Sequence, residues 1–169
     1  MSALRSLLLG SMVVLLTSAL AQVAPQTFSG KVISIKDGDT IEVLHDGKAE
    51  RVRLAHVDCP EKGQPYGSNA KTFASDLCFG KVVRVVQADD PDRNGRLIAE
   101  VFSDDLCLNQ ELVRAGLAWH FLKYSQDENY AKLEQDARRQ LVGLWSDPHH
   151  IAPWDWRKGK RARHEPASP

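Results

Sequence analysis

The sequence predicts an α+β fold, a small closed barrel of five strands with three packed helices, and three observations predict it. Five short runs have strand character, apolar helical stripes lie between the third and fourth runs and after the fifth, and polar turns separate them. At 169 residues, 43% hydrophobic and 26% charged, the chain is long enough for one such domain to bury a core.

Residues 1–21 stand apart from that domain. Arg5 makes a short positive start, and residues 7–20 (LLLGSMVVLLTSAL) are almost wholly apolar. Ala19-Leu20-Ala21 then supplies the small-x-small pattern that a signal peptidase reads, so cleavage is expected before Gln22. A bilayer core needs roughly 20 apolar residues, and this run is shorter and interrupted by Gly10, Ser11, Thr17 and Ser18. The expectation is an exported protein, periplasmic or secreted, with no membrane association after cleavage.

FSGKVISI (28–35), TIEVLH (40–45) and RVRLAHV (51–57) form the first three strand candidates. Asp37-Gly38-Asp39 and Asp46-Gly47-Lys48 divide them, and Asp-Gly is a strong turn signal, so the three read as a meander. Pro60, Gly63, Pro65 and Gly67 mark a loop. Ala70, Phe73, Ala74, Leu77 and Cys78 then make a helical stripe, with Ser68 or Asn69 as its cap and Gly80 at its end. KVVRVVQ (81–87) and RLIAEVF (96–102) are the last two strands, parted by the turn ADDPDRNG. Asn109 opens a short helix through residue 115. Tyr130, Leu133, Ala137, Leu141 and Leu144 predict a third helix, broken near its end by Gly143. This order of elements is that of an OB-fold barrel. The domain is placed at 22–152, followed by a Trp-containing, basic tail at 153–169 that is expected to be disordered.

Charge is unevenly placed. Formal charge over the whole chain is zero, but the tail after Trp156 holds five Lys or Arg against one acid, which leaves residues 22–156 at −5. A body of that sign does not attract nucleic acid by its overall field, so attraction must come from local arginines, a bound cation or the tail. Cys59, Cys78 and Cys107 allow one intramolecular disulfide with three possible pairings. Cys78–Cys107 is favoured, because both sit at helix ends expected to pack on the barrel. No CxxC or Cys/His spacing of a structural zinc site is present in the sequence.

Three clusters carry the residue types that phosphodiester cleavage needs: Asp37-Gly38-Asp39-Thr40, the stretch from Arg53 through Asp58-Cys59-Pro60-Glu61, and Asp92-Arg93-Asn94-Gly95-Arg96. The transition state gathers charge on phosphoryl oxygens, so catalysis is mainly charge stabilisation plus a positioned water. A hard cation on carboxylate and carbonyl oxygens supplies part of that. Arginines grip phosphoryl oxygens through paired N–H donors, which lysine cannot reproduce. Asp39 and Asp58 are the natural cation ligands, Arg53 and Arg96 the clamp, and Glu61 the base. Singly, each reads more simply as a turn or surface residue; their joint arrival in one small barrel gives them weight.

IKDGDTIEV, VRLAHVDCPE, the helix led by Tyr66-Gly67, DRNGR and LNQELVRAGLAWH closely resemble the staphylococcal nuclease (thermonuclease) family, over roughly residues 28–145. The resemblance implies an OB barrel with three helices and calcium-dependent endonucleolytic cleavage of DNA and RNA that leaves 3′-phosphates. It implies that Asp39, Asp58 and the backbone carbonyl of Cys59 hold Ca2+, that Arg53, Glu61 and Arg96 are catalytic, and that Tyr124 contacts the nucleotide. The nucleic acid substrate is the expected partner, and the protein is expected to act as a monomer. Three positions depart from the pattern: the loop KGQPYG after Glu61 is short, Asn94 replaces a frequent tyrosine, and Leu122 replaces an aromatic. The alternative reading is a non-catalytic OB-fold module that binds nucleic acid or protein.

One difficulty arises from the residues themselves. Strict alternation puts Arg53 and Asp58 on opposite faces of a continuous strand, so they converge only if the strand ends or bulges before Asp58. His56 reads as a packed or surface histidine and His149-His150 as a solvated loop, while Trp154-Asp155-Trp156 reads as a clamp of the C-terminal segment on the barrel.

Overall fold

The computed structural model describes residues 26–164, with side chains described through Gly159. The signal peptide expected at 1–21 lies outside the described residues. Five long strands make the barrel: β1 (Thr27–Ile35), β2 (Thr40–His45), β3 (Lys48–Leu54), β5 (Val82–Asp89) and β6 (Leu97–Ser103). Three two-residue strands accompany them: β4 (Val57–Asp58), β7 (Leu106–Cys107) and β8 (Trp119–His120). The sheet order β3-β2-β1-β5-β6-β7 closes on itself through a parallel pairing of β3 with β6, in which Val52, Arg53 and Leu54 face Leu97, Ile98 and Ala99. The expected five-stranded OB-type barrel is therefore present, and closure removes the open edges of its sheet.

The alternation of the sequence becomes the inside of this barrel. Val32, Ile41, Val43, Val52, Leu54, Val83, Val85, Ala99 and Val101 are all buried. A register shift between Val32 and Ser34 turns Ile35 inward, where strict alternation would have placed Ser34. The helices α1 (Gly67–Cys78), α2 (Leu108–Arg114) and α3 (Glu128–Arg139) match the three expected ones in place. The cap of α1 is Tyr66 in a left-handed conformation, with no side-chain cap bond, and not Ser68 or Asn69. Asn109, buried in α2, accepts from Val101 N and donates to the carbonyls of Ala55 and Ala99, which pins the helix to the barrel wall.

Four expectations need correction. The third strand stops at Leu54 and not at Val57, because His56 adopts φ 67 in a turn. Helix α3 stops at Arg139; Leu141 has φ 52 and is 65% exposed, and a 3-10 turn at Gly143–Ser146 delivers Leu144 to the core instead. The segment expected to be a disordered tail holds a fourth helix, α4 (Pro153–His164). Proline suits the first turn of a helix, and Trp154 anchors α4 by packing against a cluster of Trp119, Ala137, Leu144, Trp145 and Ala152. Finally, all three cysteines are free and buried, so the favoured Cys78–Cys107 disulfide is absent. The Cys78 thiol donates to Ala74 O at 3.0 Å, whereas Cys107 lies 3.8 Å from the Tyr130 hydroxyl.

Candidate active site

The turn at Ala55-His56 resolves the difficulty of opposite faces. With β3 ended, Val57 and Asp58 start the new strand β4, paired with β8 through Val57–His120 and Asp58–Trp119. His56 is held in that turn by Ser125, whose Oγ lies 2.9 Å from His56 Nδ1 and 2.9 Å from His120 Nε2. The reversal brings Asp58 back to Arg53, and Arg53 Nη2 donates to Asp58 Oδ1 at 2.9 Å. The same nitrogen lies 3.3 Å from Asp39 Oδ2. Two carboxylates from separate turns thus converge on one cationic nitrogen, and Arg53 Nη1 is fixed by donating to Leu54 O at 2.9 Å.

Asp39 sits on the tight corner between β1 and β2. Its Oδ2 accepts from Cys59 N at 2.7 Å and its Oδ1 lies 3.2 Å from Thr40 Oγ1. Gly38 is required by close approach: a Cβ there would lie 2.7 Å from Ala70 Cβ and 2.9 Å from Cys59 Sγ. The corner is therefore pressed between α1 and the Cys59 loop, which fixes Asp39 relative to Asp58. Gly67 serves the next loop similarly, since a Cβ would fall 2.3 Å from Glu61 O. Gln64 closes that loop by accepting from Glu61 N at 2.9 Å and donating to Ile151 O at 2.6 Å.

Arg96 enters from the 92–96 turn at the start of β6. Asp92 Oδ2 accepts from Arg96 Nε at 2.9 Å and Nη2 at 2.7 Å, while Asp92 Oδ1 accepts from the backbone N of Asn94 and Arg96. The remaining Nη1 reaches Thr40 Oγ1 at 3.4 Å, and Thr40 is the cross-strand partner of Arg53. Arg96 thereby reaches the Asp39 corner through one hydroxyl.

Glu61 joins the group through a residue that sequence reasoning did not assign. Arg157 of α4 donates from Nη1 to Glu61 Oε1 at 2.6 Å and from Nη2 to Asp58 Oδ2 at 2.7 Å. The missed signal was Pro153, a helix-starting residue, followed by Trp154 and Arg157 at i and i+3 on one face. Tyr124 lies apart from this group; it is 69% exposed, packs edge-on against Phe121 at 5.0 Å, and has Lys123 over its ring. Phe121 in turn stacks on Trp154 at 5.6 Å and 3°, so Tyr124 is linked to α4 through one ring.

Burial dominates the electrostatics of the carboxyls at this site. Burial, then the neighbouring Asp39, pushes the Asp37 carboxyl up to about 6. Burial also raises Asp58, and Asp39 adds to this, although Arg157 and Arg53 pull the other way. Burial works against the charge on Arg53, but Asp39 and Asp58 outweigh it and raise its pKa. The same holds at Arg157, where Asp58 and Glu61 outweigh burial. Burial is the largest influence on Asp58 and outweighs the pull of both arginines.

The hard oxygen donors of Asp39 and Asp58 fit a divalent cation. Among the described residues no group of three or more His, Cys, Asp or Glu is placed to hold a metal. The hard donors that the structure brings together are the two carboxylates, Asp39 and Asp58, which meet at Arg53 Nη2. The Cys59 thiol is not among them: burial foremost, then Asp39, pushes it well above the ordinary thiol value, which keeps it protonated.

The family model for staphylococcal nuclease homologues matches residues 51–147, which spans β3 through the 3-10 turn. An "Uncharacterized endonuclease" of Escherichia coli is 42% identical over 132 residues, 78% of this chain and 86% of the relative. A "Micrococcal nuclease" of Shigella flexneri is 39% identical over 145 residues, 79% of this chain and 83% of the relative. "Staphylococcal-like nuclease CAN1" of Arabidopsis thaliana is 36% identical over 120 residues, 71% of this chain and 36% of that longer protein. Agreement of barrel, site and relatives over most of the chain has one reading: this protein belongs to the staphylococcal nuclease family.

Proposed function

We propose that the protein is a calcium-dependent endonuclease that cleaves DNA and RNA and leaves 3′-phosphates, acting as a monomer. Membership of the family makes it a phosphodiester-hydrolysing nuclease; the cation, the range of substrates and the product ends are our reading. The observation that carries it is the convergence of Asp39 and Asp58 on Arg53 Nη2, at 3.3 and 2.9 Å, with Glu61 and Arg96 one residue away on either side.

When bound by Asp39, Asp58 and the Cys59 carbonyl, Ca2+ supplies positive charge to the phosphoryl oxygens as they gain negative charge. Arg53 is anchored by Leu54 O, with its second nitrogen on Asp58 and Asp39, so its charge is fixed in the site where the phosphoryl oxygens gain theirs. Arg96 is aimed by Asp92 and offers Nη1 from the start of β6, the strand paired with that of Arg53. Glu61 is about one-third exposed, and its carboxylate, held at Oε1 by Arg157, is the one placed to orient a water and take its proton. Tyr124 is the exposed ring on which a base can stack.

End-group analysis of digests of single-stranded DNA and of RNA in Ca2+ tests this reading. Fragments from both are expected to carry 3′-phosphate and 5′-hydroxyl ends; 5′-phosphate ends contradict it. Binding of both nucleic acids without cleavage supports the OB-fold binding module instead.

A further inference from the structure

We propose that Arg157 of α4 is a positioning residue that holds the Glu61 carboxylate beside Asp58. The inference rests on the role just given to Glu61. Glu61 lies in a glycine- and proline-rich loop between β4 and α1, and its side chain is about one-third exposed. An exposed carboxylate on such a loop samples several rotamers unless something fixes it. Its carboxylate accepts from the Arg157 guanidinium at 2.6 Å. The other nitrogen of that guanidinium reaches Asp58 Oδ2 at 2.7 Å, and Asp58 is 2% exposed and locked at Oδ1 by Arg53. The flat fork thus sets one carboxylate at a fixed spacing from the other.

Arg157 can do this because α4 is itself held. Trp154, one helical turn before it, stacks on Phe121 and meets Trp119 edge-on at 5.5 Å. Ile151, just ahead of the helix, is bonded through its carbonyl to Gln64, in the same loop as Glu61. Loop and helix are therefore tied at two points, Gln64–Ile151 and Glu61–Arg157. A side chain anchored this way is better suited to orienting a reacting group than to swinging away from it. The arginine is a fixed part of the site, contributed by a segment 96 residues from Glu61.

The test is a double-mutant cycle of Arg157→Gln and Glu61→Gln, with Arg157→Lys as the conservative variant, read as kcat and KM on single-stranded DNA in saturating Ca2+. Arg157→Gln is expected to lower kcat about 10- to 100-fold, as loss of a supporting partner typically does, with KM nearly unchanged. Arg157→Lys should recover part of the loss, and Arg157→Gln should cost nothing further in the Glu61→Gln background. Nitrogen-15 spectra of the arginine side chains, recorded without nucleic acid, give a readout independent of turnover. Separate guanidinium signals of Arg157 should persist on adding Ca2+ to the native protein, and the Nη1 signal should shift in Glu61→Gln while Asp58 still holds Nη2. Unchanged or raised kcat in Arg157→Gln, an equal loss in the Glu61→Gln background, or signals that merge in the native protein on adding Ca2+ overturns the inference. Normal turnover of Glu61→Gln sinks the role of Glu61 and the inference with it; a crippled Glu61→Gln beside a normal Arg157→Gln sinks the inference alone.

Discussion

At the scale of single residues, the site is a set of charges fixed by backbone contacts. Arg53 is the hub: one nitrogen donates to Leu54 O, the other to Asp58, with Asp39 0.4 Å farther off. A lysine keeps the charge but cannot make both bonds from one planar group. Arg53→Lys is therefore expected to reduce kcat/KM by about 100-fold or more, in the range of removing one well-placed transition-state donor. Steady-state kinetics on single-stranded DNA checks this; a loss of less than about 3-fold would show that charge alone suffices. The identities of Arg53, Asp39, Asp58, Glu61 and Arg96 were legible in the sequence because phosphoryl chemistry needs those types. Their convergence was not, since it depends on the positive φ of His56, and a histidine in that conformation leaves no mark in a pattern of apolar and polar residues.

At the scale of elements, the turn that delivers Arg96 depends on one carboxylate. Burial opposes the charge of Asp92, but bonds from the Arg96 side chain, the Arg96 backbone and Asn94 overcome it and hold the carboxyl down at about 2. The ordinary value is 3.8, so between these two values the unfolded chain binds more protons than the folded one. The contribution of Asp92 to stability is thus complete above about pH 4 and lost as the pH falls toward about 2. Asp92→Asn is expected to cost roughly 1–2 kcal/mol at neutral pH, the scale of a charged hydrogen bond, and almost nothing near pH 2. Urea unfolding of both proteins across that range reads the difference, and a gap that widens in acid contradicts the assignment. The strands and first three helices were readable because their periodicities are those of half-buried elements. Helix α4 was not, because after Trp156 its sequence is almost all basic and its hold on the body comes from tertiary contacts, those of Trp154 and Arg157 among them. Tertiary contact overrode a composition that by itself predicts disorder.

At the scale of the whole molecule, barrel closure and the C-terminal helix divide the labour. The β3–β6 pairing brings the Arg53 strand beside the Arg96 strand, and β4–β8 carries Asp58 across to them. Helix α4 then brings Arg157 to Asp58 and Glu61 in a body of net negative charge. Among the described residues no helix is long and apolar enough to cross a membrane. The free, buried cysteines mean that the fold is held by its core and not by a cross-link, a point that spacing within the sequence could not decide.

The central claim is that a cation seated on Asp39 and Asp58 is needed for the arginines and Glu61 to act. The most direct measurement is the initial rate of single-stranded DNA cleavage in Ca2+, after complete chelation, and after Ca2+ is restored. Chelation is predicted to lower the rate by orders of magnitude and restoration to return it in full. A rate that persists under complete chelation contradicts the account.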